Sequence, residues 1–316
     1  MPRLKGIEEK YLFGKQVDKE NEDTFFVDSE HSYLNKTDGS KYISCTQLIH
    51  AYSNPFNEEF FSRYKALEEL ADYDFFSVVK SGLLATQVWK PDLVNKANID
   101  EEVFEAKVKE IKDTWEKNRI ESAEHGTKIH DLLETSFYGK TSFNLDKYGC
   151  PQVCGDYVCS KGYYYLDLDN GIYPELLISH ISPEGLHVAG TADLVVKSGN
   201  DIDIIDWKTS KEIKKKSYFN ASKKKNVMMK APLNNLMDSN YFHYSLQLSL
   251  YAYMLEQQHP EFNIRSLTIV QIDRDNNTTK YPADYLKDEV NRMLKHYANQ
   301  LKIRQQLDRI EPYKIG

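Results

Sequence analysis

Two neighbouring apolar stretches of the sequence contain acidic residues, and the second stretch ends in a lysine. Residues 187–197 contain Asp193, and after a short turn residues 202–208 end in Asp206-Trp207-Lys208. Side chains on a strand alternate between the two faces of a sheet, so Asp206 and Lys208 point the same way. The two stretches therefore predict adjacent strands whose carboxylates and ammonium group meet at one end of a sheet.

These three side chains together have a defined chemistry. Mg²⁺ takes oxygen ligands and is usually held by one or two carboxylates plus substrate phosphates, which Asp193 and Asp206 can provide. The ammonium of Lys208 can stabilise negative charge on phosphorus and hold an attacking water, and the carbonyl of Trp207 can add a ligand oxygen. The pattern predicts phosphodiester hydrolysis, although an Asp-x-Lys at a strand end can also be a plain surface ion pair.

Three other pieces of the chain accompany this pattern. Gln247 and Tyr251 are four residues apart in a helical stretch and share one helix face. His130 lies on an earlier helical stretch, and Glu175 lies near the start of a strand predicted over residues 172–181. A histidine that ligates the metal would make the site tolerant of Mn²⁺ as well as Mg²⁺.

Taken in this order, the pieces resemble the PD-(D/E)XK nuclease superfamily, and within it the RecB-like branch. That branch includes nuclease domains of bacterial recombination enzymes and the mitochondrial genome-maintenance exonuclease. The resemblance covers residues 122–257, and residues 41–49 are similar to a Ser-x-Thr segment of phage and mitochondrial members. It implies an α/β fold with a mixed central sheet flanked by helices, and an exonuclease of DNA replication, recombination or repair, with a phage genome as one source.

The resemblance also implies roles for the core residues. Asp193, Asp206 and Lys208 match the metal-binding and catalytic core of the family, and His130 matches its upstream histidine. The implied cofactor is Mg²⁺ or Mn²⁺. The implied partner is DNA that is single-stranded or has a free end.

The remaining site residues keep more than one interpretation. Glu175 matches a variable acidic position and can ligate a second metal, hold a water beside the metal, or simply sit at a strand edge. Gln247 and Tyr251 match the downstream helix motif of the family. They can pack in the core or, as we favour, orient DNA phosphate or the catalytic carboxylates.

A basic segment follows the catalytic lysine. Residues 211–230 hold eight lysines and one glutamate, a net charge of +7, whereas the whole chain carries −7, which leaves −14 for the remainder. A basic patch on an acidic body is typical of a protein that engages DNA along one groove. The candidate DNA-binding residues are Thr209, Ser210, Lys214, Lys215, Lys216, Tyr218, Lys223, Lys224 and Lys225. The alternative is a solvated loop without contact to DNA.

Composition excludes several other classes of protein. No run of about 18 apolar residues predicts a membrane span, and the first residues lack the apolar core of a signal peptide, so we expect a cytoplasmic protein. Some RecB-like nucleases hold an iron–sulfur cluster on four cysteines, three of which follow the Gln/Tyr helix. The four cysteines here are Cys45, Cys150, Cys154 and Cys159, none of which follows Tyr251, so we expect thiols and no cluster.

The pattern of elements predicts two regions. Residues 1–121 form a hairpin and a mostly helical accessory layer, and residues 122–316 form the nuclease core. We expect the helix over residues 99–120 to break near Ser122 before the helix that carries His130.

The start of the chain predicts a small β unit. Residues 23–28 and 31–35 read as a hairpin, with residues 41–44 as its third strand. Thr46 is expected to cap the helix that follows.

Two rivals to an exonuclease stay open at this point. The first is a structure-specific or restriction-like endonuclease with the same site in an open groove. The second is a DNA-binding protein that keeps the fold without turnover. The complete set of Asp193, Asp206 and Lys208 argues against the second, because a buried carboxylate without a partner is costly.

Overall fold

The computed structural model describes residues 10–138, 147, 168–220 and 224–310. Two sequence predictions concern residues outside this part of the chain. One is a helix over residues 150–166, which contains three of the four cysteines, and the other is the DNA-binding role of Lys223.

The described residues form helices on both sides of a central sheet, with a small β unit at the start of the chain. The helices are α1 (Cys45–His50), α2 (Glu58–Leu70), α3 (Tyr73–Thr86), α4 (Asp92–Lys96), α5 (Glu101–Tyr138), α6 (Asn240–Gln258) and α7 (Lys287–Ile310). The strands are β1 (Tyr11–Leu12), β2 (Lys15–Gln16), β3 (Lys19–Glu20), β4 (Thr24–Val27), β5 (Ser32–Asn35), β6 (Ile43–Ser44), β7 (Gly171–Ile181), β8 (His187–Ser198), β9 (Asp201–Lys208), β10 (Phe219–Asn220), β11 (Lys225–Asn226), β12 (Asn263–Ile272) and β13 (Thr278–Pro282).

The central sheet is mixed, as the sequence predicted. Its order is β13-β12-β9-β8-β6, and β7 also pairs with β8. The β12–β9 and β6–β8 pairs are parallel, whereas β7–β8, β8–β9 and β12–β13 are antiparallel. Parallel neighbours need a crossover connection, and α6 lies in the one between β9 and β12. The sequence patterns located β7, β8 and β9 to within two residues but missed β13, whose residues are mostly exposed.

Helices cover both faces of this sheet. On one face α5 places Ile129 and Leu133 against Leu194, Ile205 and the fully buried Trp207. On the other face, α6 and α7 form the largest core cluster with β8, β9 and β12. Strands buried on both faces read as nearly continuous apolar runs, which explains the composition of β8 and β9.

The N-terminal β unit differs from its prediction in two details. β4 and β5 form the expected hairpin, but β3 is its third strand, and β6 instead pairs in parallel with β8 in the central sheet. The predicted cap at Thr46 is wrong. Ser44 caps α1 in a capping box with Gln47, because only the residue before the first helical turn can accept the exposed N–H groups.

The predicted helix break near Ser122 is also wrong. α5 runs without interruption from Glu101 to Tyr138 and so crosses the proposed boundary between residues 121 and 122. Its first half packs against α2, α3 and α4, and its second half packs on the sheet. The two-region division stays a prediction. In the described part of the chain, no helix is both long and apolar enough to cross a membrane.

The lysine-rich segment, residues 211–230, is anchored to the rest of the protein. Ile213 and Met229 are buried in the core cluster beside α6, and β10 and β11 form a two-stranded hairpin between them. The backbone N–H of Lys230 donates to the carbonyl of Tyr52 at 2.8 Å, which ties the segment to the connection between α1 and α2.

Candidate active site

The regular pairing of β7 and β8 is interrupted where their acidic residues meet. Glu175 stands opposite Asp193 in register, and the residues on either side of both are paired. Glu175 has a φ of 51°, in the left-handed region that non-glycine residues rarely adopt. Tyr173 and Leu176 both reach the core on the α6 side, although alternation would place residues three apart on opposite faces. The local distortion therefore interrupts the alternation of side chains along β7 at Glu175. Strained backbone conformations of this kind cluster at functional sites.

His130 reaches this position from α5. Its Nδ1 lies 3.4 Å from Oε1 of Glu175 and 3.6 Å from Oδ1 of Asp193. Its Nε2 lies 3.1 Å from the carbonyl oxygen of Trp207. If Nε2–H donates to that carbonyl, Nδ1 keeps its lone pair and directs it toward the two carboxylates.

His130, Glu175 and Asp193 fit a divalent cation. Each offers one ligand atom, and these atoms all lie within 4.8 Å of one another. Two carboxylates and an imidazole suit Mg²⁺ and Mn²⁺. The structure thus brings His130, Asp193 and Glu175 together, and the role of His130 as a metal ligand stays a prediction.

The backbone of Trp207 orients two of these three side chains. Its N–H donates to Oδ2 of Asp193 at 2.6 Å, and its carbonyl contacts His130. Its indole is fully buried under α5 and fixes this stretch of β9. The carbonyl oxygen that the sequence offered as a metal ligand therefore has His130 as a partner.

Asp206 and Lys208 form a separate pair beside this group. The ammonium of Lys208 lies 2.9 Å from the carboxylate of Asp206, and it also lies 5.0 Å from the ring centre of Tyr244. The Asp206 side chain is 1% exposed and that of Lys208 is 19% exposed. As predicted, the two point the same way, but Asp206 does not belong to the trio of possible ligands that the described residues provide.

The carboxylates and the imidazole perturb one another. Burial and the nearby Asp206 raise the pKa of Asp193 to about 7, against the attraction of His130. Burial lowers the pKa of His130, but Asp193 and Glu175 outweigh it and raise that pKa to about 9. Burial opposes ionisation of Glu175, yet Lys19 and His130 lower its pKa to about 2. In the metal-free site the imidazole of His130 and the neighbouring carboxylates therefore compensate each other's charge, and a divalent cation can take over that compensation.

Lys19 is a site residue that sequence reasoning missed. Its ammonium lies 3.1 Å from Oε2 of Glu175, and the side chain is 5% exposed. The two residues are 156 positions apart, and β3 has only two residues. No local pattern marks such a lysine, because the contact exists only through the docking of the N-terminal β unit.

Gln247 and Tyr251 of α6 lie in the same pocket as Lys208. The amide of Gln247 donates to the phenol oxygen of Tyr251 at 3.0 Å. Both residues line a pocket of about 260 Å³ together with His130, Glu175, Asp193 and Lys208. The fully enclosed ring of Tyr251 fits because β8 has a glycine there: a Cβ on Gly190 would lie 2.8 Å from Cε1 of Tyr251.

The candidate DNA-binding residues lie outside this pocket, as far as the structure describes them. Thr209 and Ser210 follow Lys208 directly, and the carbonyl of Ser210 accepts a hydrogen bond from Gln271 at 2.8 Å. The exposed lysines and the exposed Tyr218 lie further along the segment. The exposed ones are Lys214, Lys215, Lys216, Lys224 and Lys225.

Comparison with known proteins places this geometry in a family. The model of the PD-(D/E)XK nuclease superfamily matches residues 99–314. No curated protein matches the chain. Among solved structures, the chain is similar to the crystal structure of SSO0001, with 15% identity and a TM-score of 0.31 over 78% of this chain and 87% of that one, a likeness too low to carry an argument. The chain belongs to the PD-(D/E)XK nuclease superfamily and is therefore a metal-dependent nuclease.

Proposed function

We propose that this nuclease is an exonuclease that hydrolyses DNA from a free end, in the cytoplasm, during replication, recombination or repair. The observation that carries the proposal is the convergence of ligand atoms from His130, Glu175 and Asp193 within 4.8 Å, beside the ammonium of Lys208. These three residues would hold Mg²⁺ or Mn²⁺. Asp206 and the carbonyl of Trp207 stay candidate ligands with other partners in the structure.

A divalent cation bound there polarises a phosphate and lowers the pKa of water. The protein supplies the orientation. The carbonyl of Trp207 holds His130 by Nε2, and the N–H of Trp207 holds one oxygen of Asp193, so the free atoms of both side chains face the same point. Partners that orient ligands in this way raise metal affinity and keep the site rigid.

Lys208 supplies a fixed positive charge. Burial disfavours its ammonium, but Asp206 and Asp193 outweigh this effect and raise its pKa above the ordinary value for lysine, so it stays charged. The pairing with Asp206 holds the ammonium at the edge of the pocket. There it can stabilise charge that builds on the phosphate oxygens in the transition state.

Gln247 and Tyr251 support the substrate side of the pocket. Their hydrogen bond leaves one N–H of the amide available to a phosphate oxygen. Burial, above all, raises the pKa of Tyr251, so its phenol stays neutral. Both groups can therefore orient DNA without adding negative charge to the site.

The need for a free end is supported by the elements around the pocket. The N-terminal β unit contributes Phe26 and Tyr33 to the pocket lining. The lysine-rich segment is tied to the connection that precedes α2, where the side chain of Asn54 donates to the carbonyl of Met228 at 2.9 Å. Tyr218 also lies within electrostatic range of Tyr64 on α2. A strand that enters between such walls must be threaded.

The lysine-rich segment would bind the sugar-phosphate backbone of that DNA strand. Lysines that contact phosphates give affinity without sequence preference, and aromatic side chains such as Tyr218 can stack on bases. Thr209 and Ser210 would contact the phosphates nearest to Lys208. We therefore expect cleavage with little dependence on base sequence.

The test is digestion of a covalently closed single-stranded DNA circle beside the same DNA in linear form, with Mg²⁺ or Mn²⁺. An exonuclease degrades the linear form and spares the circle. Cutting of the circle at a matching rate would favour the endonuclease, and metal-dependent binding without any cleavage would favour the inactive DNA-binding protein. A reaction with a chelator controls for metal-independent contaminants.

A further inference from the structure

Two polar contacts dock the N-terminal β unit on β7 next to the active site. The ammonium of Lys19 pairs with Glu175, and the amide of Asn21 donates to Oγ of Ser179 at 2.9 Å. All four residues are buried. On β7 these are one charged and one neutral contact, four residues apart, and the unit also packs Phe26 and Tyr33 against Leu177 and Ala189 of the central sheet.

The buried ion pair of Lys19 and Glu175 has a high desolvation cost, which calls for a role beyond docking. The desolvation free energy of burying a lysine and a glutamate can exceed the attraction between their charges. Replacement of such a pair by apolar residues is therefore often neutral or stabilising. Asn21 alone would give the unit a docking contact, and its Oδ1 also accepts from the N–H of Thr24 at 2.8 Å. A second role for the Lys19 charge would explain why this contact is charged.

The charges of the site indicate that role. When His130 is a neutral metal ligand, the carboxylates of Glu175, Asp193 and Asp206 and the ammonium groups of Lys19 and Lys208 sum to −1. Glu134, one turn after His130 on α5, is also within electrostatic range of Lys19. A divalent cation would change −1 to +1, which suits a singly charged phosphodiester. Without Lys19 the sum with the cation would be zero.

We propose that Lys19 is a positioning residue of the active site, whose charge neutralises Glu175 and keeps its carboxylate beside His130 while no cation is bound. The inference rests on the proposed function in that it takes the site to bind a divalent cation. Glu175 is in a strained backbone conformation, so its side chain needs a partner on each side to stay in place. Lys19 contacts one carboxylate oxygen and His130 contacts the other.

The first experiment compares Lys19→Met with Asn21→Ala by thermal unfolding in a chelator and again with excess Mn²⁺. Both variants loosen the docked unit, but only Lys19→Met leaves Glu175 without its cation. We expect a larger Mn²⁺-induced rise in Tm for Lys19→Met than for wild type, because the metal alone then compensates Glu175. Asn21→Ala should keep the wild-type rise. Equal rises in the two variants would overturn the proposal.

The second experiment is a double-mutant cycle in the chelator with Glu175→Gln. The loss in Tm caused by Lys19→Met should largely disappear in the Glu175→Gln background, since the charge that Lys19 neutralises is gone. If Lys19→Met alone does not fold, the double variant should still fold. Additive losses, or a double variant that also fails to fold, would show that Lys19 acts only by packing.

The same measurements separate this inference from the proposed function. A wild-type protein that neither gains Tm with Mn²⁺ nor cleaves DNA would defeat the proposed function, and the cycle in chelator would still test the pairing of Lys19 with Glu175. A wild type that responds to Mn²⁺ while Lys19→Met behaves like Asn21→Ala would defeat the inference alone.

Discussion

Asp206 and Lys208 are a buried ion pair whose members depend on each other. The carboxylate is almost fully enclosed, and the ammonium is the partner that compensates it at 2.9 Å. Removal of one member of a buried pair leaves the other uncompensated, which typically costs about 3–5 kcal/mol. Under the proposed function, stability and catalysis are therefore linked at these residues, and we expect a single substitution to perturb both.

Lys208→Met should lower kcat by about 10²- to 10³-fold, the usual loss when a donor that stabilises transition-state charge is removed. Single-turnover cleavage of linear DNA with saturating Mn²⁺ measures this effect. The double variant Lys208→Met/Asp206→Asn is the control, because it removes both charges and should recover much of the stability without recovering activity. Turnover near that of wild type in folded Lys208→Met would remove this lysine from the catalytic assignment.

A second residue gives a prediction about pH. His180 lies on β7 against the edge of Tyr253, with ring centres 6.1 Å apart, and its Nε2 is enclosed without a hydrogen-bond partner among the described residues. Burial lowers its pKa in the folded state. As pH falls, the unfolded chain therefore takes up this proton before the folded protein does. The contribution of neutral His180 to the unfolding free energy is complete above the unfolded pKa of about 6.5 and is lost as pH falls below that value.

His180→Phe should therefore flatten the fall in unfolding free energy between about pH 7 and pH 5, since phenylalanine does not titrate. Urea unfolding of wild type and variant across this range measures the slope. Parallel slopes for the two proteins would mean that other groups carry the pH dependence.

At the scale of single elements, close approach between β8 and α6 decides how the site is assembled. Gly190 lies opposite the ring of Tyr251, and a Cβ there would also come within 3.0 Å of Sγ of Cys45. The Gly-x-x-Asp spacing thus has a packing reason, because the glycine admits Tyr251 three residues before Asp193.

Gly190→Ala should destabilise the protein by about 1–3 kcal/mol, the usual effect of an added methyl group in a packed core. It should also impair cleavage, because Tyr251 has to move and it holds Gln247. Gly82→Ala is the matched control: the glycine is inside α3 with no atom within 4 Å of its Cβ position, so alanine should stabilise by about 0.5–1 kcal/mol. Thermal unfolding of the two variants should give shifts of opposite sign.

At the scale of the whole molecule, charge is separated between the lysine-rich segment and an acidic body. The segment carries +7 and the rest of the chain −14. Under the proposed function, the positive segment attracts DNA to one side of the protein and the acidic remainder repels it elsewhere. The structure holds the segment against the α1–α2 connection, so the positive charge has a fixed place.

Neutralisation of the two lysine triplets at residues 214–216 and 223–225 should weaken DNA binding and reduce its salt dependence. Each lost phosphate contact removes about 0.7–0.9 from the slope of log K against log salt concentration. Fluorescence anisotropy at several salt concentrations measures the slope, with Lys287, Lys295 and Lys302 of α7 replaced as a control. An unchanged slope in the triplet variant would show that the segment is a solvated loop.

Much of the fold and part of the site could be predicted from local pattern. The apolar runs located β7, β8 and β9, and the four-residue spacing placed Gln247 beside Tyr251 on α6. These features depend on the alternation of a strand and the turn of a helix, which operate over a few residues. For the same reason the spacing of Asp206 and Lys208 predicted that their side chains point the same way.

What the tertiary structure decided involves residues far apart in sequence. The left-handed backbone of Glu175, its place opposite Asp193 and its contact with Lys19 arise when β7, β8 and the N-terminal β unit pack together. The unbroken course of α5 through Ser122 is also a tertiary result, since its two halves are held by two separate cores. Local propensity is worth a fraction of a kcal/mol per residue, whereas burial of an apolar face or of a charge is worth several, so packing outweighs the local signal.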